Sequence, residues 1–142
     1  MNKSSGSKKK LSTTAARRKT AGLRRKTDRK LERIETRRNN KLQKVHRKTH
    51  SKRAKLHGKY ESKMTKLDQK RETLAQQGNK ARVGTVSAKM ARIKSRIGDK
   101  NKRVMDSARR KQGRLVKGAA NKSYRAKRSY ANKARKLNRR AS

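Results

Sequence analysis

The chain has 142 residues, 50 of them Lys or Arg and 8 Asp or Glu, for a formal net charge of +42. Leu, Ile, Val and Phe together supply 17 residues, and burial at roughly 25 cal/mol per Å2 of so little apolar surface does not offset backbone ordering of about 1–2 kcal/mol per residue. The composition therefore excludes an ordinary globular core. It also excludes a membrane span, because no apolar run approaches the roughly 18 residues required, and disulfide or thiolate chemistry, because Cys is absent.

Free in water such a chain is expected to be mostly unfolded, since its charges repel one another and its apolar content is low. Pro is also absent, and Ala, Lys, Arg and Leu favour helix. The expected fold is all-α: two long basic helices, folded back as a helical hairpin or splayed on the partner, with little hydrophobic core, ordered mainly on nucleic acid.

In chain order, residues 1–13 contain Gly, Ser, Asn and Lys and read as a flexible basic arm. Residues 14–76 read as a long helical arm carrying six of the eight acids, between Asp28 and Glu72. Its apolar residues recur every eleven positions: Ile34, Val45, Leu56 and Leu67 form one row, and Leu31, Leu42 and Met64 a second, interrupted by Arg53. Residues 77–85 read as an elbow, with Gly78-Asn79 and Gly84 as helix stops and Thr85 or Ser87 as the next N-cap. Residues 86–138 read as a second helical arm and 139–142 as a basic tail. In that arm Ile93, Val104, Leu115, Ala126 and Leu137 form one row, and Val86, Ile97, Ala108, Ala119 and Tyr130 another. Gly58, Gly98 and Gly118 are weaker interruptions, each costing about 1 kcal/mol in a helix.

Eleven residues make three helical turns, so each row holds one face with little drift. The resulting seam is narrow. It suits long helices packing along one line, either within the chain or between copies and assembly proteins. The seam residues are Leu31, Ile34, Leu42, Val45, Leu56, Met64, Leu67, Val86, Ile93, Ile97, Val104 and Leu115.

The cations are expected on all faces of both helices, not on one stripe. Arg pairs favour bidentate phosphate contacts, which nominates Arg17, Arg18, Arg24, Arg25, Arg37, Arg38, Arg109, Arg110, Arg139 and Arg140. Arg47, Lys48, Lys52, Arg53, Arg92, Arg96, Arg103, Arg114, Arg125, Arg128 and Arg135 complete the candidate phosphate-binding set. No zinc-finger spacing, compact helix-turn-helix or aromatic RNA-binding motif is present. A basic helix for a membrane surface needs a wide apolar face with Trp, Phe or Leu, and Trp and Phe are absent.

The remaining motifs are weak. RRKT occurs at Arg17–Thr20 and Arg24–Thr27 and fits a basophilic kinase, yet such a tetrapeptide arises readily by chance in this composition. His46, His50 and His57 have metal-like spacing, but the surrounding cations repel a divalent ion. The carboxylates are too scattered for an acid/base pair, and Gly113 and Gly118 lack the Lys and Ser/Thr of a P-loop. No enzyme activity, metal or other cofactor, or small-molecule substrate is expected.

No motif ties the chain to one family. Over its whole length its composition resembles basic virion core proteins and histone-like condensing proteins, and also helical ribosomal proteins. The expected function is sequence-independent nucleic-acid binding that neutralises and packages a genome, inside a virion core or nucleoid. The alternative is a ribosomal or ribonucleoprotein component threading through rRNA.

Overall fold

A computed structural model describes residues 11–141. These residues are all-helical: α1 spans Thr13–Gln76 and α2 spans Lys80–Arg139, with no strand among the described residues. Most of the residues read as a flexible arm lie outside the described part. Of those within it, Leu11 N–H donates to the Arg140 carbonyl at 2.9 Å, and Ser12 caps α1 by accepting from the Ala15 N–H at 3.2 Å.

The elbow is shorter than the sequence reading of 77–85. α1 ends in a Schellman arrangement: Gly78 has φ +70°, its N–H donates to the Ala75 carbonyl, and the Asn79 N–H donates to the Leu74 carbonyl. Asn79 also starts α2, because its side-chain oxygen accepts from the Arg82 N–H at 3.2 Å. One residue thus closes one helix and opens the next, and Gln77-Gly78-Asn79 is the whole connection. Thr85 and Ser87 are not the N-cap; Thr85 lies inside α2, its hydroxyl donating to the Ala81 carbonyl. Gly58, Gly84, Gly98 and Gly118 are likewise helical. A missing Cβ weakens a helix without breaking it where the flanking residues dock on a partner, as Val83 and Val86 do around Gly84.

Contacts divide the chain into two units. The turn unit is Lys41–Arg114; the end unit comprises the segments up to Asn40 and from Leu115. In the turn unit the helices pack antiparallel. Leu74, Val86 and Met90 form a small core with Met64, Leu67 and Val83, and farther from the turn Arg53 meets Asn101 and His46 meets Gln112. In the end unit, Ile34 shares a groove with Ala126, and Leu23 shares one with Leu137.

Burial follows the eleven-residue rows. Leu31, Ile34, Leu42, Val45, Leu56, Met64, Leu67, Ile93, Ile97, Val104 and Leu115 are half-buried and Val86 is buried. A third row, which hydrophobicity does not mark, completes each seam. On α2 it is Met90, Asn101, Gln112, Ser123 and Ala134; on α1 it is Ala16, Thr27, Arg38, Thr49, Tyr60 and Arg71. Polar side chains sit there because most of them bond within the fold. Thr27 and Thr49 donate to the carbonyls four residues back, and Arg38 and Arg71 pair with Glu35 and Asp68 three residues back. Across the helices, the Arg53 Nε–H donates to Asn101 Oδ1 at 3.0 Å. No described side chain is fully buried, and the buried residues are Ala16, Tyr60, Leu74, Val86, Met90, Ala108 and Ala126. The seam is consumed by α1–α2 packing inside each unit.

Candidate nucleic-acid interface

The eleven-residue rule that sets the seam also sorts the charges. From Lys26 on α1, steps of three or four residues reach Lys30, Arg33, Arg37, Lys41, Lys44, Lys48, Lys52, Lys55, Lys59, Lys63, Lys66 and Lys70, all cations. At three turns per eleven residues this line keeps to one flank of the seam. On α2 the pairs Lys89/Arg92, Lys100/Arg103, Lys111/Arg114, Lys122/Arg125 and Lys133/Lys136 recur every eleven residues. The acids Asp28, Glu32, Glu35, Glu61, Asp68 and Glu72 fall on the other flank of α1 with His46, His50 and His57.

Packing turns the two basic flanks toward each other within each unit. In the turn unit, Lys44, Lys48, Lys52, Arg103 and Lys111 wall a groove floored by Val45, Thr49, Val104, Ser107 and Ala108. Nearer the turn, Lys63, Lys66, Lys89, Arg92, Arg96 and Lys100 wall a second groove beside Tyr60, Leu67 and Ile93. In the end unit, Lys26, Arg29, Lys30, Arg33, Arg37, Lys122 and Arg125 surround Ile34 and Ala126. Lys19, Lys26, Lys133, Lys136 and Arg140 surround Gly22, Leu23 and Leu137. None of these grooves contains an acid. The expectation of cations on every face without a stripe is therefore corrected: cations do occur elsewhere, but one flank of each helix is a dedicated basic stripe.

Tyr60 reports the local field. The Lys100 ammonium donates to its phenol oxygen at 2.8 Å, and the Lys63 and Lys100 ammonium groups lie 5.9 and 5.4 Å from its ring centroid. The Lys100 hydrogen bond holds the Tyr60 phenol below its ordinary pKa of 10.0; burial opposes this, and the charges of Lys100, Lys59 and Lys63 reinforce it.

The structure gathers Arg37, Lys48, Lys52, Arg92, Arg96, Arg103, Arg125 and Arg140 into grooves. Arg114 continues the Arg103 and Arg125 row, and Arg128 lines a shallow depression with Arg125, Lys133 and Lys136. Arg38 and Arg53 lie on the seam rows, tied to Glu35 and Asn101. Arg17, Arg18, Arg24, Arg25, Arg47, Arg109, Arg110, Arg135 and Arg139 are exposed and line none of these grooves. Residues adjacent in sequence point about 100° apart on a helix, so adjacency in sequence does not mark a groove: of the five Arg-Arg pairs only Arg37 and Arg140 line one, one member each. The groove lysines Lys26, Lys30, Lys44, Lys63, Lys66, Lys89, Lys100, Lys111, Lys122, Lys133 and Lys136 were missed for that reason. The signal that finds them is the eleven-residue period applied to charge.

Among the described residues, no three His, Asp or Glu side chains gather as a metal site, and no helix is long and apolar enough to cross a membrane. No protein-family model, curated protein or solved structure matches the chain.

Proposed function

We propose that the chain is a structural protein that binds nucleic acid independently of sequence, neutralising and packaging a genome inside a nucleoprotein particle of virion-core or histone-like type. The observation that carries this reading is the set of acid-free basic grooves within each unit, walled by cation rows that repeat every eleven residues. One repeat is about 16.5 Å of helix. Along that length one strand of a duplex presents about five phosphates. α1 contributes three cations per repeat and α2 contributes two, so the groove matches one phosphate backbone in linear charge density. The groove floors are apolar or hydroxylic and carry no Asn, Gln or Asp aimed at base edges, which supports phosphate contact without base readout.

The test is to crosslink the protein to nucleic acid in its native particle and sequence the crosslinked fragments. Reads spread over a whole genome are expected. Reads confined to one or two rRNA sites would replace this reading with the ribosomal one. A second measurement addresses ordering: circular dichroism should show mostly coil at low salt and a large gain of helix on adding DNA or RNA. Coil persisting in the saturated complex would sink the proposal that nucleic acid orders the helices.

A further inference from the structure

With the seam occupied inside the chain, contact between copies needs another surface. The flank of α1 away from the grooves supplies one. In the turn unit it carries His46, His50, His57, Glu61, Asp68 and Glu72, separated by four, seven, four, seven and four residues. All are exposed except Asp68, which is half-buried. This spacing keeps the six on one narrow line, and their order is antisymmetric: three imidazoles, then three carboxylates. The line is centred on residue 59, with His57 and Glu61, His50 and Asp68, and His46 and Glu72 at equal distances on either side.

We propose that this ladder is a two-fold contact between the α1 helices of two copies, running antiparallel about residue 59. In that register each His lies level with a carboxylate of the partner, at alternating positions like those of antiparallel coiled coils. The match of imidazole N–H donors to carboxylate acceptors selects this occupant. Parallel pairing would set carboxylate against carboxylate, and contact through the groove flanks would set cation against cation at a net charge of +42. The contact leaves the basic grooves open, and it stands whether or not the groove ligand is nucleic acid.

The test uses the full chain, neutralised with short inorganic polyphosphate. One variant carries Glu61→Lys, Asp68→Lys and Glu72→Lys; the other carries His46→Glu, His50→Glu and His57→Glu. Wild type should sediment as dimers. Each variant alone should dimerise at least tenfold more weakly, and an equimolar mixture should recover dimers, because Lys of one then faces Glu of the other. A monomeric wild type, or a mixture no better than its components, would overturn the proposal. Disulfide trapping gives a check independent of the charge reversals, since the chain has no Cys of its own. His57→Cys mixed with Glu61→Cys should crosslink several-fold faster than either alone. Equal rates would refute the register.

Discussion

Tyr60 shows how a single side chain registers the basic groove. Its phenol is held below 10.0 by the Lys100 ammonium, so this contact contributes most to stability when the phenol is ionised. That contribution is present at alkaline pH and is lost as pH falls through the lowered pKa. In the folded chain, absorbance at 295 nm should show one phenol half-ionised below pH 10.0, and Lys100→Met should raise that midpoint. An unchanged titration would mean the hydrogen bond does not form in solution. Thr20 and Thr27, the acceptors of the RRKT motifs, are half-buried and donate to the carbonyls of Ala16 and Leu23. A basophilic kinase should therefore modify them at least tenfold more slowly in the polyanion-bound helix than in the free chain, as phosphate incorporation would show. Arg53 interrupts an apolar row and meets Asn101 instead. The sequence shows the interruption but not what fills it, because an Arg–Asn bond between residues 48 apart leaves no local trace.

At the scale of the element, the decisive position is Gly78. Its φ of +70° suits glycine, and an L-residue such as Ala costs about 1–2 kcal/mol there. Gly98 is helical, with nothing within 4 Å of where a Cβ would sit, so an added methyl gains about 0.5–1 kcal/mol. Thermal melts of the polyphosphate-neutralised chain should show Gly78→Ala melting lower than wild type and Gly98→Ala higher. The sequence reads Gly78 and Gly84 alike as helix stops and Gly98 as a weaker interruption; only the hydrogen bonds separate Gly78, where the chain turns, from Gly84, which is helical. The apolar rows were legible because each aliphatic recurs at three whole turns. The third row was not, because Thr27, Thr49, Asn101 and Gln112 are polar and lie in the seam only through the bonds they make. Replacing Val45, Leu56, Val104 and Leu115 with Ser should unpair α1 from α2 and lower helix content in the complex. Full helix content with reduced assembly would instead return the seam to a contact between copies.

For the whole molecule, the question is which cations engage phosphate. Replacing Lys48, Lys52, Arg103 and Lys111 with Gln removes four cations from one groove, and replacing Arg47, Lys94, Lys102 and Arg109 removes four outside it. Net charge falls equally. If phosphates lie in the groove, the first set should lower the slope of log affinity against log salt by about 3–4, and the second by clearly less. Equal reductions in a filter-binding titration would mean that charge acts diffusely. By itself the sequence determined the all-helical class, the poverty of the core and the eleven-residue period. Those follow from composition and from spacing along one helix, which need no knowledge of a partner segment. Tertiary structure decided the three-residue connection and which flank of α1 faces which flank of α2 in each unit. A row of cations becomes a groove wall only when a second row stands opposite, and that pairing depends on how residues far apart in the chain pack together.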